Sequence, residues 1–119
     1  MNEKLIELAE RCEKAKKPDR ELDADIALTQ GWTEHPGDNW IGPHGQISVP
    51  AFTASLDAAL TLVPEGHDWI IEHVNGGLTI CARVGHNDPD RISWGDIAAL
   101  ALCAAALRAR AAQNAEQRG

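Results

Sequence analysis

Residues 50–85, PAFTASLDAALTLVPEG followed by HDWIIEHVNGGLTICARVG, constrain the fold more than any other part of the chain. They read as a capped amphipathic helix running into a tight β-hairpin. Thr53 or Ser55 suits the N-cap, Leu56, Ala59, Leu60 and Val63 form one apolar stripe, and Pro64 stops the helix. Residues 68–84 then alternate on either side of Asn75-Gly76-Gly77, where Asn-Gly supplies the positive φ values of a type I′ turn. Whether the two-residue loop is Asn75-Gly76 or Gly76-Gly77, the residues Trp69, Ile71, His73, Leu78, Ile80 and Ala82 share one face. That face belongs in the core. The reverse face carries Ile70, Glu72, Val74, Thr79, Cys81 and Arg83, a mixed set, so another element is expected to cover part of it.

The flanking segments supply more helices. Leu5, Leu8, Ala9 and Cys12 recur at helical spacing, which predicts a helix over about residues 2–16, with Glu7–Arg11, Glu10–Lys14 and Glu13–Lys17 as i, i+4 pairs. Pro18 breaks it and opens a second helix to about residue 30, with Leu22, Ile26 and Thr29 inward, Ala27 and Leu28 beside them, and Gly31 as a left-handed stop. Residues 32–45, WTEHPGDNWIGPHG, are mostly turns, with a short strand possible at 39–41. A strand is expected near 46–49, with Ile47 and Val49 on one face. The last helix takes Ser93 or Asp96 as its cap and carries two stripes: Ile97, Leu100, Ala104, Leu107 and Ala111, and Ala98, Leu102, Ala105 and Ala109. Arg108 and Arg110 fall near its end, complementing the dipole. A helix apolar on two faces is either central to the domain or shared with a second copy, so residues 97–111 also offer a homodimer seam. The expected fold class is α+β. A small antiparallel sheet, hairpin 68–84 plus a strand near 46–49, is packed by about four helices in an α/β sandwich, as one domain over residues 1–119.

The segments DRELDADIALTQGW, PAFTASLDAALTLVPEGHDW and ALALCAAALRARA, in the order helix, helix, loop, helix, hairpin, helix, resemble the small phage and prophage proteins grouped as the phage ABA sandwich domain. The likeness covers residues 5–112, and its motifs are structural. It implies an α/β sandwich and a phage or prophage origin, but no activity, since the role of that family is uncharacterised. The loops HNDPDRIS and TEHPGDNWIGPHG fall outside it.

Charge and chemistry narrow the function classes. Between Arg20 and Arg83 there is no Lys or Arg, while Glu21, Asp23, Asp25, Glu34, Asp38, Asp57, Glu65, Asp68 and Glu72 contribute −9, more than the net −7 of the chain. That stretch repels polyphosphate, so it is not expected to bind a nucleic-acid backbone. It either serves solubility or attracts a basic partner surface. The start MNEKLIELAERCEK is charged, and the longest apolar run, residues 97–107, is shorter than the roughly 20 residues of a membrane span, so neither a signal peptide nor a membrane partner is expected. Cys12, Cys81 and Cys103, without a C-x-x-C spacing, read as reduced core thiols of a cytosolic protein, and the phage resemblance implies that this cytoplasm is that of a bacterial host.

No site motif emerges. His35, His44, His67, His73 and His86 lack ligand spacing, the His86-Asn87-Asp88-Pro89-Asp90 loop lacks the EF-hand pattern, and neither metal nor cofactor is expected. Ser48, Ser55 and Ser93 lack a nucleophile context, and Asp23 and Asp25 project to different sides of a helix, so the sequence singles out no catalytic residue. Trp32, Trp40, Trp69 and Trp94 either close the ends of the core or mark a binding patch. The candidate binding residues are Trp32, His35, Trp40 and His44. Three functions stay open: an interaction module docking on a host or phage protein, in the role of an inhibitor of host defence; a small-molecule binder or enzyme with a pocket beside the 32–45 loop; or a virion or accessory component with no soluble ligand.

Overall fold

The computed structural model describes residues 2–74, 79–85, 92–95 and 97–118. The expected turn at Asn75-Gly76-Gly77, Leu78, the His86–Asp90 loop and the Asp96 cap lie outside the described residues, as do the side chains of His73, Val74, Thr79 and Trp94. Helix α1, Asn2–Lys14, buries Leu5, Leu8, Ala9 and Cys12, the four residues its spacing predicts. Two charges expected to pair along it also reach other helices. Arg11 Nη1 donates to Asp25 Oδ2 at 2.7 Å, and Glu13 Oε1 accepts from Arg108 Nη2.

Helix α2, Arg20–Thr29, starts at Asp19 rather than Pro18, because the Asp19 carboxylate accepts from Glu21 N at 2.9 Å and Leu22 N at 3.4 Å. Leu22, Ile26 and Ala27 are buried, whereas Leu28 turns outward. Gly31, at φ +90°, takes the left-handed conformation that lets the chain leave. Strands β1, Thr33–His35, and β2, Asn39–Ile41, then form a small antiparallel hairpin that pairs Glu34 with Trp40. Its first strand was not legible in the loop-like composition around it.

The strand expected near 46–49 does not form. The carbonyl of Val49 is taken by Arg20 Nη2 at 3.1 Å, so a side chain rather than a neighbouring strand holds this segment, and Ile47 is left 82 % exposed. Helix α3, Leu56–Leu60, is capped by Ser55 and ends after five residues. The bonds Thr61 N to Ala58 O, Leu62 N to Ala59 O and Val63 N to Leu60 O tighten its end into a three-residue period. With that period Leu62 falls on the face of Ala59 and is buried, while Leu56 is turned outward.

The main sheet has the order β3-β4-β5, all antiparallel: β3 is Trp69–Val74, β4 is Thr79–Val84 and β5 is Ile92–Gly95. The hairpin register pairs Ile71 with Ala82 and Trp69 with Val84, the face parity the sequence predicts. Ile80, Ala82 and Val84 are buried and Ile71 is half-buried. Trp69, expected in the core, is 45 % exposed, because the helix over this face packs on β4 and β5 and leaves the edge strand β3 less covered. On the reverse face Ile70 and Glu72 are exposed, so the cover expected there is missing over β3. Ser93, read as a helix cap, lies in β5 opposite Ala82 and is buried.

Helix α4, Ala98–Arg118, occupies the centre, with α1 on one side, β4 and β5 on another, and α3 alongside. Every residue from Ala99 to Leu107 is buried within the one chain. Both apolar stripes are therefore used inside it, and the homodimer seam through 97–111 has no exposed stripe to draw on. The helix also runs past its expected end, which puts Arg108 and Arg110 inside it rather than at its terminus. The result is the mixed α+β class that the sequence predicts, with the third strand supplied by 92–95 instead of 46–49.

Cys103 of α4 sits in this core and donates to the carbonyl of Phe52 at 3.1 Å. Its hydrogen bond with Cys12, reinforced by burial, pushes its pKa far above the ordinary thiol range. In the unfolded chain the same thiol ionises near pH 8.5. The folded pKa is the raised one, so the contribution is complete below that pH and declines as pH rises above it. Between about pH 9 and 10.5 the native chain is expected to lose about 1.4 kcal/mol per pH unit more than Cys103→Ala, measured by urea denaturation. Parallel slopes would contradict it.

Candidate functional site

A concavity of about 440 Å³ lies where α2, the β1–β2 hairpin and the 46–49 segment meet, lined among others by Arg20, Asp38, Trp40, Ile47, Ser48 and Val49. Its walls are set by a buried polar latch. Asp23, only 1 % exposed on α2, accepts at Oδ1 from Thr53 N and Thr53 Oγ1, both at 2.8 Å, and at Oδ2 from Arg20 Nη1 at 3.0 Å. Thr53 Oγ1 accepts in turn from Asp19 N at 2.9 Å. Because Arg20 also holds the Val49 carbonyl, the latch fixes the chain on both sides of Pro50. Asp25, one turn face away, pairs with Arg11, so the two carboxylates do project to different sides of the helix.

The hairpin wall is shaped by the Pro36-Gly37-Asp38 turn. Gly37 has φ +81° and Asp38 has φ +58°, a conformation that Asp tolerates better than most side chains. Asn39 Nδ2 donates to Pro36 O at 2.8 Å and closes the turn. Asp38 and Trp40 thereby reach the same rim. Gly42 could not be replaced without displacement, since a Cβ there would meet Gln46 Oε1 at 2.3 Å and the Trp32 ring at 2.9 Å.

Of the four residues singled out from the sequence, only Trp40 lines the concavity. Trp32 is buried beneath Gly42 as part of the core, which removes it from any binding surface. His35 is exposed on β1, with Nε2 at 3.1 Å from Thr33 Oγ1. His44 is exposed in the following turn, where its backbone N donates to Gln46 Oε1 at 2.9 Å. Neither histidine lines the pocket. Arg20, Asp38 and Ile47 were missed: Arg20 and Asp38 entered only in the charge pattern, and Ile47 as one face of an expected strand.

Chemically the concavity offers an apolar floor, a hydroxyl and two opposite charges. Arg20 is already met by Asp23, whereas Asp38 has no ion-pair partner among the described residues. Cys81, on the open face of the main sheet, is not an activated nucleophile: burial and the neighbouring Glu72 charge raise its pKa, against the opposing pull of Arg83. Among the described residues no three His, Cys, Asp or Glu groups converge as metal ligands, and no helix is long and apolar enough to cross a membrane. Compared with protein-family models, curated proteins and solved structures, the chain matches none.

The latch makes a specific demand on Thr53. Thr53→Val deletes one donor to the buried Asp23 oxygen and the acceptor of Asp19 N, and is expected to cost about 1–3 kcal/mol in urea denaturation. Thr53→Ser, which keeps the hydroxyl, is expected to lose less than Thr53→Val. Equal losses would mean that methyl packing, not the hydrogen bonds, carries this position.

Proposed function

We propose that this chain is a non-catalytic protein-interaction module that docks a partly basic, partly apolar segment of another protein in the Trp40–Ile47 concavity. The observation that carries this reading is Ile47, 82 % exposed at the lip of a concavity whose walls are held by buried hydrogen bonds. An exposed apolar side chain on a preorganised wall can bind without a large ordering cost. The partner chemistry follows from charge. Asp23 and Asp25 are spent on Arg20 and Arg11, but Glu21, Glu34, Asp38, Asp57, Glu65, Asp68 and Glu72 are exposed along a stretch without Lys or Arg. Such a surface steers basic surfaces toward it and lysine-poor acidic ones away.

The resemblance to the phage ABA sandwich proteins supports a phage or prophage origin, and free thiols at Cys12, Cys81 and Cys103 suit the reducing cytoplasm of a bacterial host. In that setting the partner is a host or phage protein, and inhibition of a host defence protein is the role a small acidic module would serve. A second reading, a small ligand in the same concavity, draws support from the volume, which lies within the range of ligand sites.

Photo-crosslinking tests the docking reading. With p-benzoylphenylalanine at position 48, a specific host or phage protein is expected to be captured in bacterial cells, and much less from position 57. Ile47→Asp is expected to change stability by no more than about 0.5 kcal/mol, since the site is exposed, yet to weaken binding of the captured protein about tenfold or more. Salt is expected to weaken the same complex. Equal capture from both positions, or binding indifferent to Ile47→Asp, would overturn the assignment.

A further inference from the structure

At the other end of α2 from Arg20 lies a second, separate pocket. It has a volume of about 190 Å³, is partly open to solvent, and is lined by Leu5, Thr29, Gln30, Arg110, Gln113 and Asn114. Three helices build it: the start of α1, the end of α2 and the later turns of α4. Arg110 dominates its electrostatics. Its Nε donates to the Leu62 carbonyl at 2.6 Å, which fixes the plane of the guanidinium. Among the described residues, none accepts from its two terminal Nη groups and no carboxylate pairs with it. Three other arginines do face an acid: Arg11 meets Asp25, Arg20 meets Asp23 and Arg108 meets Glu13.

We propose that this pocket binds a small organic carboxylate, whose charged group is taken by the Nη atoms of Arg110. A planar fork with its Nε already anchored presents parallel N–H donors that match the two oxygens of a carboxylate. The amides of Gln113 and Asn114, one turn further along α4, can bond further oxygens of the ligand. Leu5 supplies an apolar wall for its carbon chain. One cation among neutral amides suits a single negative charge better than a phosphate dianion. The volume bounds the size. A cavity of about 150 Å³ accepts a six-carbon ring, so this one admits an acid of about four to eight non-hydrogen atoms.

Burial adds a driving force. It lowers the Arg110 pKa, and no acid offsets that shift, so the cation is partly stripped of water without a counter-charge. A bound carboxylate replaces the lost hydration. This pocket shares no lining residue with the Trp40–Ile47 concavity, so the two assignments stand or fall separately.

The probes are butyrate, neutral butyramide and inorganic phosphate, added to the full chain at constant ionic strength with sodium chloride as reference. Butyrate is expected to raise Tm saturably, by about 5 °C at ten times its dissociation constant, and butyramide is not. In the same titration the side-chain amide resonances of Gln113 and Asn114 are expected to shift and saturate, while those of Asn39 and Gln46 stay fixed. Arg110→Gln is expected to abolish both responses. If that variant does not fold, Gln113→Leu with Asn114→Leu, which spares the Leu62 bond, is expected to weaken butyrate binding at least about tenfold. Equal responses to butyrate and butyramide, a response to phosphate alone, or no saturable shift of the two amides would each overturn the proposal.

Discussion

A carboxylate that leaves water has to be met by donors on the sides it presents, and Asp23 meets them from two segments thirty residues apart in sequence. Leaving a buried acceptor of this kind without one of its donors typically costs about 1–3 kcal/mol, so the chain around it has little freedom to drift. Thr53 is held by its backbone N and its hydroxyl, and Phe52 beside it is buried with its carbonyl bound by Cys103. Arg20 completes the set by clasping both Asp23 and the Val49 carbonyl. A segment with no regular secondary structure is thereby fixed as firmly as a strand would be. The concavity exists because of this latch: Val49 is pinned inward, and Ile47, two residues earlier, is carried past the edge of the core.

The second constraint is the alanine-rich centre of α4. A run of small side chains lets α1 and the sheet approach the same helix from different directions, so one helix serves as the floor for both layers. That use of both faces is what removes the dimer seam. It also explains the uneven cover of the sheet: a single helix spans β4 and β5, and the edge strand β3 receives the remainder.

Where periodicity and burial coincide, the sequence was sufficient. Leu5, Leu8, Ala9 and Cys12 on α1, and Ile80 with Ala82 on β4, follow the period of one element against one neighbour, and Gly31 marks a left-handed stop that glycine adopts without strain. The failures have a common cause. Ile47 and Val49 alternate as strand residues do, but the alternation is decided by a side chain from α2, far off in sequence. Leu62 is buried because the end of α3 tightens by one hydrogen-bond step, which no apolar stripe announces. ISWG is too short to show a period, and its Ser93 resembles a cap. Asp23 gave no signal at all, because a carboxylate in a helix reads as solvent-exposed unless its donors are known. Of the candidate site, Trp40 was legible as an aromatic in a polar loop, whereas Arg20 and Arg110 were not, since each is defined by a carbonyl brought to it through the fold.

Taken together, the two recesses divide by the sign of the charge proposed for their ligands. The concavity sits on a surface whose exposed carboxylates extend from Glu21 to Glu72, so long-range attraction favours a basic partner and fades as salt screens it. The Arg110 pocket belongs to the same molecule of net charge −7, so an approaching carboxylate feels repulsion until it reaches the guanidinium. Screening that repulsion lets moderate salt favour its entry, even as the same salt loosens a basic partner on the other side. The two proposals together assign one acidic chain a protein held by long-range steering and a small acid held by short-range geometry, with opposite responses to ionic strength. That opposition follows from where the carboxylates are spent: Asp25, Asp23 and Glu13 each meet an arginine, whereas Arg110 meets no acid among the described residues.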